Sequence, residues 1–414
     1  MKRGRRSVAL VLAGVVATAL GCDGDRGRSE AETPAPSTAE TPAPSTAEAP
    51  ATTLARTPSA ASGMIDGQAV LDDERRSHGA PGALALVRVD DAEWSGVSGV
   101  ADLGGTELTD STRFRIASIT KPIVAMLVLD AVNRGELSLD DTVSDLIPGV
   151  LNPEPPTSVR MLLDHSSGIF NVGDEGDVAS DIALLPDPLM RAEATALGAR
   201  YLAGERVSMT DELYVALAET HDRYFEPGTG YHYSNVNYQL AAMVLERVTG
   251  MPLADLLRLR LTEPLGLRHT TIAPADPGLP EMHGYARQAD GSMLDVTDDF
   301  LALGNGGGGG VISTAGELMT IMKAIVSGEL LPEPLVAVMR AATVQSNDSY
   351  GLGLATYHLS CGTFYGHGGA VSGTHSIAIV DEAGSSGAVI AINLRSDVDP
   401  NLLASAEAVL CDVR

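Results

Sequence analysis

Lysine is scarce in this 414-residue chain, which contains only Lys2, Lys121 and Lys323 and takes nearly all its other positive charge from arginine. A lysine kept where arginine is otherwise the rule suggests a task that requires loss of its proton near neutral pH. Lys121 stands one helical turn after Ser118, in the segment 114–122. A neutral amine beside a serine hydroxyl is the arrangement of an activated nucleophile, so this pair is a candidate catalytic centre. The alternative is a coincidental pairing on a helix surface.

Positive charge as a whole is also low, and several sequence motifs are missing. The chain has a net charge of −26, which repels phosphate backbones and argues against nucleic acid as a partner. It has no H-E-x-x-H motif and its nine histidines are scattered, so a metal centre is not expected. It has no G-x-S-x-G motif, which removes the main marker of an α/β-hydrolase.

Long apolar runs are rare, and the run 8–20 stands close to the N-terminus behind four cationic residues. This pattern predicts a secretory signal over residues 1–22, because the run is too short to span a bilayer comfortably. Residues 19–22 resemble a bacterial lipobox, so we expect cleavage before Cys22 and lipid attachment to it. The protein would then be an exported, membrane-anchored lipoprotein with its catalytic domain in the periplasm or outside the cell. An ordinary cleaved secretory signal is the alternative.

Cysteine is nearly absent, since the chain contains only Cys22, Cys361 and Cys411. If Cys22 carries lipid, the other two cysteines are available for one disulfide in an oxidising compartment. Two buried free thiols are the alternative that composition alone leaves open.

Large apolar side chains are lacking from residue 23 to Leu54, where an octapeptide rich in Ala, Thr and Pro occurs twice, at 31–38 and 39–46. Such a segment cannot offset the entropy of ordering, so residues 23–62 are predicted to form a disordered, semi-extended linker. The remaining residues, 63–414, are predicted to form one catalytic domain.

Strand patterns stand near both ends of that domain and helical patterns fill its middle, which predicts an α+β fold with one sheet assembled from the two ends. The helix that begins at Ser118 is apolar on most faces and should run through the interior. A glycine-rich segment, 304–310, reads as a loop entering a helix that Thr314 and Glu317 start with a capping box. The predicted helices are 64–78 and 401–413, with a helical insertion over about 118–328, and the predicted strands are 82–89, 93–102, 351–359, 373–380 and 387–394.

Two further motifs accompany the serine–lysine pair. Tyr233-Ser234-Asn235 opens a predicted helix, where Ser234 can be a simple N-cap or where the phenol can share protons with the pair. His367-Gly368-Gly369 stands just before a predicted strand, either as a tight turn with an exposed histidine or as a cleft-edge strand whose glycines let a substrate backbone approach closely.

Taken together and in this order, the three motifs resemble those of the serine β-lactamase and penicillin-recognising superfamily, where Ser-x-x-Lys, Tyr-x-Asn and Lys/His-x-Gly line one cleft. The chain is most similar to the class C β-lactamase and secreted D-Ala-D-Ala carboxypeptidase branch, which also contains esterases and D-amino-acid peptidases. Residues 159–168 resemble the branch's leucine-leucine-x-His-x-Ser-Gly segment, in which we expect His165 to hold a turn. Cys361 and Cys411 match the positions where secreted DD-carboxypeptidases of this branch carry a disulfide.

The resemblance implies acyl transfer, in which Ser118 attacks a carbonyl and water later releases the acyl group. Lys121, which burial makes easier to deprotonate, and Tyr233 would move the serine proton and then protonate the leaving group. Backbone N–H groups of Ser118 and Ala370 would form an oxyanion hole, where loss of one donor typically costs ~3 kcal/mol. No metal or cofactor is implied.

The resemblance also implies substrate contacts, with two departures. Asn235 would hold the substrate amide, His367 would close the far wall, and Gly368 and Gly369 would allow close approach. Members that recognise a terminal carboxylate often carry threonine where Gly368 stands, and a basic residue where this chain has Ala355 and its neighbour. Strict D-Ala-D-Ala specificity is therefore in doubt.

The expected protein is an exported serine hydrolase with an acyl-enzyme on Ser118, acting as a D-Ala-D-Ala carboxypeptidase or in similar penicillin-binding-like amide hydrolysis. A carboxylesterase and a β-lactamase of the same fold are the enzymatic alternatives, and an inactive peptidoglycan-binding homologue is the non-enzymatic one. The expected partners are a cell-wall peptide or small amide or ester, and a membrane through the lipid anchor.

Overall fold

A computed structural model describes residues 67–174, 178–202, 207, 209–272, 281–297, 306–395 and 402–411 of the chain. The predicted signal segment 1–22 with Cys22, and the predicted linker 23–62, lie outside these residues. Within the described ranges, no helix combines the length and the apolar character needed to cross a membrane.

The secondary structure agrees with an α+β fold, because strands stand near both ends of the described chain and helices lie between them. The strands are β1 Gly82–Val89, β2 Ala92–Gly99, β3 Phe114–Arg115, β4 Thr271–Ile272, β5 Tyr285–Arg287, β6 Met293–Asp295, β7 Val311–Ser313, β8 Ala355–Leu359, β9 Gly362–Val371, β10 Thr374–Asp381, β11 Gly387–Ile392 and β12 Leu394–Arg395. The helices are α1 Gly67–His78, α2 Thr120–Asn133, α3 Val143–Leu146, α4 Val159–Leu163, α5 Val178–Leu184, α6 Pro188–Leu202, α7 Asp211–Ala218, α8 Asn235–Thr249, α9 Leu253–Leu257, α10 Ala315–Val326, α11 Glu333–Arg340 and α12 Leu402–Cys411.

The central sheet has six strands in the order β2-β1-β11-β10-β9-β8, each antiparallel to its neighbour. Strands β1 and β11 pair near its middle with Ala83 opposite Ile392, so the sheet joins the two ends of the domain as the sequence predicted. Two smaller sheets have the orders β12-β5-β6 and β3-β7-β4.

Helices cover both faces of the central sheet. Successive side chains of a strand point to opposite faces, so each strand contributes to two cores. Leu84 and Leu86 of β1 belong to the large core that includes residues of α2, α8 and α10. Ala83 and Val87 belong to a second core with α1 and α12. Burial of each large apolar side chain in these cores contributes roughly 1.5–3 kcal/mol to folding.

Helix α2 runs through the larger core, with every residue from Thr120 to Ala131 buried, which confirms the prediction of an interior helix. It begins at Thr120 rather than at Ser118, because residues Ala117–Ile119 form a separate 3₁₀ turn. Ala117 has a φ of +50°, a left-handed conformation that an α-helix does not accept, so the chain turns sharply just before Ser118.

The third motif lies inside β9 and directly before β10, so it is part of a strand, as one of its two interpretations expected, and not a tight turn. Glycine weakens strand propensity, so the sequence pattern did not predict the bounds of β9. The glycines are needed because neighbouring backbone comes very close: a Cβ at Gly366 would stand 2.0 Å from the carbonyl oxygen of Ala378. Close packing of the backbone therefore outweighs the local preference.

Candidate active site

Ser118 lies on the 3₁₀ turn between β3 and α2, and its side chain is half-buried. The left-handed Ala117 turns the chain so that Ser118 is presented at the start of α2, where the helix dipole is positive. Strained backbone of this kind costs on the order of 1–3 kcal/mol and is typical of functional sites.

Lys121 is fully buried at the first turn of α2 and contacts three oxygen atoms. Its Nζ lies 3.0 Å from Ser118 Oγ, 2.8 Å from Asn235 Oδ1 and 2.6 Å from the carbonyl oxygen of Gly308. Burial disfavours the charged form and lowers the pKa of Lys121 well below its ordinary value of 10.5. The site therefore favours an uncharged amine.

A neutral amine has two hydrogens and one lone pair, which decides the direction of these contacts. The Asn235 and Gly308 oxygens are carbonyl acceptors, so each takes one hydrogen from Lys121. The lone pair then faces Ser118, whose hydroxyl donates across the remaining 3.0 Å contact. In its neutral form, Lys121 is placed to receive the serine proton.

Tyr233 brings a phenol to the same place. Its hydroxyl oxygen is buried without a hydrogen-bond partner among the described residues, and Lys121 Nζ lies 4.8 Å from its ring centroid. Burial raises the pKa of Tyr233 above its ordinary value of 10, and the nearby Ser118 hydroxyl only partly opposes this. The phenol is therefore a neutral group that retains its proton beside the serine.

Asn235 is the first residue of α8, and Ser234 occupies the N-cap position as predicted. The Ser234 side chain does not cap the helix, however, because its Oγ donates to the carbonyl of Phe170 at 3.3 Å. The backbone N–H of Asn235 donates instead to Asn171 Oδ1 at 2.9 Å. Asn171 thus supplies the cap that the sequence assigned to Ser234.

His165 holds its turn in the way that the sequence predicted. It is fully buried with a φ of +59°, and its Nδ1 accepts hydrogen bonds from Ser234 N at 3.2 Å and from Asn237 Nδ2 at 3.1 Å. Asp164 bonds Ser166 rather than His165. The ring also lies 4.4 Å from that of Tyr233, so His165 supports the segment that carries the phenol.

Strand β9 forms the opposite wall of the site. A Cβ at Gly369 would lie 2.4 Å from the carbonyl oxygen of Ile116, so the strand runs directly against the backbone that leads to Ser118. A Cβ at Gly368, by contrast, would lie 4.0 Å from its nearest neighbour, the carbonyl oxygen of Ser376. Ala370 is exposed. This wall offers backbone and open space where a side chain is usual in a strand.

His367 is buried in β9 and is not a charged group. Its Nδ1 donates to the carbonyl oxygen of Gly368, which leaves Nε2 to accept from the Tyr350 hydroxyl at 3.0 Å. Burial, and then the proximity of Lys121, lowers the pKa of His367 from 6.5 to about 3. The far wall is therefore electrically neutral at this residue.

Three contributors to the site were missed by the sequence reasoning: Gly308, Asn171 and Tyr350. Gly308 acts through a backbone carbonyl, which has no sequence signature beyond the glycine-rich segment.

The capping box predicted for α10 is only half present. Thr314 accepts a hydrogen bond from Glu317 N, but the Glu317 carboxylate accepts from the backbone N–H groups of residues 268 and 269 instead.

The two cysteines of the domain lie together, with sulfur atoms 2.06 Å apart. Cys361 precedes β9 and Cys411 ends α12, so the pair ties the strand wall to the last helix. Its oxidised state in the exported protein stays a prediction. In the part of the chain that the structure describes, no three His, Cys, Asp or Glu side chains are grouped to hold a metal ion.

Comparisons with known proteins cover the same region. The family model described as Beta-lactamase matches residues 67–410. Esterase EstB of Burkholderia gladioli is 29% identical over 321 residues (70% of this chain, 75% of that protein), and Penicillin-binding protein 4 of Amycolatopsis lactamdurans is 28% identical over 331 residues (75% and 80%). A solved D-stereospecific amidohydrolase from Streptomyces sp. is 31% identical with a TM-score of 0.68, covering 83% of this chain and 98% of that one. The matched region includes every residue of the site.

Proposed function

Because the chain belongs to the β-lactamase family and is a serine hydrolase acting on amide or ester bonds, we propose that Ser118 is its nucleophile and forms an acyl-enzyme. The observation that carries this proposal is the 3.0 Å contact between Ser118 Oγ and the buried Nζ of Lys121. An amine that burial keeps uncharged accepts a hydroxyl proton at a pH where an exposed ammonium does not.

In the acylation step, Ser118 Oγ bonds to the substrate carbonyl carbon and its proton passes to Lys121 Nζ. Collapse of the tetrahedral intermediate breaks the bond to the leaving amine or alcohol, which takes a proton through Tyr233 and Lys121. In deacylation, water attacks the ester on Ser118, releases the acid and restores the serine hydroxyl. The phenol suits this shuttle because its raised pKa keeps the proton on Tyr233 until the leaving group needs it.

The remaining groups would bind and orient the substrate. Backbone N–H groups of Ser118 and Ala370 would stabilise the oxyanion, and the close approach of β9 at Gly369 supports this placement. Asn235 would donate its amide N–H to the substrate while its oxygen holds Lys121.

The strand wall supports a substrate without a free carboxylate next to the scissile bond. Strands β8, β9 and β10 contain no lysine or arginine, Gly368 has no side chain, and the lowered pKa of His367 leaves that ring neutral. A carboxylate bound there would lack a charge partner, which is costly away from water. We therefore propose small amino-acyl amides or esters as substrates, in line with the amidohydrolase and esterase relatives.

D-Ala-D-Ala carboxypeptidase activity is the second candidate. The 28% identity to Penicillin-binding protein 4 over 80% of that protein favours it, and the neutral wall opposes it. A β-lactamase and an inactive peptidoglycan-binding homologue are further outcomes that the same test separates.

The test incubates the full chain with p-nitrophenyl acetate, a D-amino-acid amide, a D-Ala-D-Ala peptide and a fluorescent penicillin, in parallel with Ser118→Ala. We expect covalent labelling and turnover of the ester and the amide, both lost in the variant. Faster turnover of the D-Ala-D-Ala peptide than of the amide would favour the second candidate. Activity that survives in Ser118→Ala would contradict the acyl-enzyme.

Export and lipid attachment at Cys22 are part of the proposal and rest on the N-terminal sequence alone. Mass spectrometry of the protein produced in a bacterial host should detect a diacylglyceryl group on Cys22 as the new N-terminal residue. Non-reducing peptide maps of the same sample should join Cys361 to Cys411. An N-terminus elsewhere, without lipid, would contradict the anchor and leave an ordinary secretory signal.

A further inference from the structure

We propose that Asn171 is a positioning residue for the acyl-transfer site, holding the start of α8 so that the Asn235 side chain faces Lys121. This inference rests on the proposed function, because it concerns the same serine and lysine. Asn171 is buried with 3% of its surface exposed, and it touches neither Ser118 nor Lys121 in any contact that the structure records. The native, uncharged Asn171 therefore acts on the chemistry by holding Asn235.

The contact that links Asn171 to the site is at the end of a helix. The first N–H groups of a helix have no partner within it, and the Ser234 side chain does not supply one for α8. Asn171 Oδ1 accepts the Asn235 N–H at 2.9 Å, while Asn235 Oδ1 accepts from Lys121 Nζ at 2.8 Å. Asn235 is thus fixed by its backbone on one side and reaches the lysine on the other.

The orientation of the Asn171 amide is itself determined by its surroundings. Its Nδ2 donates to Asp174 Oδ1 at 2.7 Å, so its oxygen is the atom left to face Asn235. The other oxygen of Asp174 accepts from Tyr224 Oη at 2.8 Å and lies 2.9 Å from His232 Nε2. Asp174 is held from two sides, and through it Asn171 has one hydrogen-bonded orientation.

The effect of a negative charge at position 171 on the pKa of Lys121 depends on the groups around Asn171. Asp174 and Tyr224 contact Asn171, and His232 lies behind them against Asp174. An additional carboxylate there favours the charged form of Lys121 and raises the pKa of that amine.

The lysine has other titratable neighbours that stay the same in any variant at position 171. The rings of Tyr233 and Tyr238 lie 4.8 Å and 5.7 Å from Lys121 Nζ, and His165 and His367 also interact with its charge. All four are present in both the parent and the variants, so a difference in pH profile reports the change at Asn171.

The experiment compares the full chain with Asn171→Ala and Asn171→Asp, measuring acylation by p-nitrophenyl acetate across pH. In Asn171→Ala we expect acylation to slow at least about tenfold and the acidic limb to move to lower pH, because Lys121 loses a fixed acceptor. In Asn171→Asp we expect the acidic limb to move about one unit to higher pH, because of the added negative charge. Asn152→Ala is the matched control, since Asn152 also accepts a backbone N–H but lies in an exposed loop.

The outcomes separate this proposal from the proposed function. If the parent chain shows no labelling that Ser118→Ala removes, the proposed function fails and not the inference alone. If the parent is labelled and both Asn171 variants match it in rate per folded molecule and in pH profile, the positioning role is wrong. If Asn171→Ala does not fold, an acylation rate and a pH profile of Asn171→Asp that both match the parent contradict the proposal, because a carboxylate at 171 cannot donate to Asp174 and loses the fixed orientation.

Discussion

The two walls of the candidate site are built in opposite ways. The helical wall carries functional side chains, Ser118, Lys121, Tyr233 and Asn235, on or beside the starts of α2 and α8. The strand wall, formed by β9, presents backbone and the open position at Gly368. Helix starts present side chains next to positive dipole ends, whereas an extended strand presents N–H and C=O groups at regular spacing.

This difference assigns a separate task to each wall. The helical wall determines the chemistry, because it holds the proton acceptor and the nucleophile at 3.0 Å. The strand wall determines how closely, and in what charge state, a substrate can lie against that nucleophile. Substitutions on the two walls should therefore have different kinetic signatures, the first on the rate of acylation and the second on substrate preference.

The largest effect should come from Lys121→Arg, which replaces the neutral amine by a guanidinium that cannot lose its proton. We expect acylation by p-nitrophenyl acetate to fall about 10³-fold, because general-base assistance is lost. Lys323→Arg is the matched control, since Lys323 is exposed on α10. Equal losses in both variants would show that the effect is not specific to the buried amine.

The next largest effect should come from the strand wall, where the same glycine-to-alanine substitution can be compared at two neighbouring positions of β9. Gly369→Ala would place a methyl group 2.4 Å from the Ile116 carbonyl oxygen, so β9 must shift from the turn before Ser118. We expect kcat to fall about 100-fold, as is typical for a displacement near 1 Å. Gly368→Ala, where the nearest atom is 4.0 Å away, should keep kcat within a few-fold. Similar kcat values for the two variants would contradict the close approach of β9.

The same contrast explains what the sequence could and could not predict. Side chains with distinctive chemistry were predicted, because Ser118, Lys121, Tyr233 and Asn235 stand in short motifs on strongly patterned helices, and the structure brings them together. Strand β9 was predicted only at its third motif and without bounds, because its glycines are required by neighbouring backbone and carry no strand propensity of their own. The carbonyl of Gly308 was missed for the same reason, since any residue has one.

Local signals also failed where tertiary contacts compete with them. Ser234 has the side chain of an N-cap, yet its hydroxyl bonds Phe170, and the cap comes from Asn171, 64 residues before Asn235. Glu317 likewise has the spacing of a capping box but accepts hydrogen bonds from the loop before β4. Side-chain type predicted that these residues would make hydrogen bonds, but only the fold determines the partners.

A smaller effect should follow from Gly368→Thr, which adds a side chain at the open position of the strand wall. A hydroxyl at this open position can donate to a carboxylate, so the ratio of kcat/KM for a D-Ala-D-Ala peptide to that for a D-amino-acid amide should rise about tenfold. The measurement is a competition between the two substrates in one reaction, with Gly368→Val as the isosteric control without a hydroxyl. An equal rise in the valine variant would attribute the change to shape rather than to the hydroxyl.

The smallest effect concerns stability rather than turnover. The folded protein holds His367 neutral with its pKa lowered from 6.5 to about 3, so its contribution to stability is present above pH 6.5 and is lost as the pH falls towards 3. At pH 5 this loss is on the order of 2 kcal/mol. His367→Gln should therefore lose less Tm than the parent between pH 7 and pH 5 in calorimetry. A parallel decline in both proteins would contradict a depressed pKa at this histidine.

Lys121 must be uncharged when Ser118 reacts, and the scarcity of lysine makes its charge state directly measurable. In the full chain labelled with ¹³C at the lysine Cε atoms, only Lys2, Lys121 and Lys323 give signals, and Lys2→Arg and Lys323→Arg identify the third. We expect the Lys121 signal to titrate well below the ordinary pKa of 10.5 and to report a neutral amine where acylation is fast. A Lys121 signal that stays in the ammonium form throughout the active pH range would contradict this expectation.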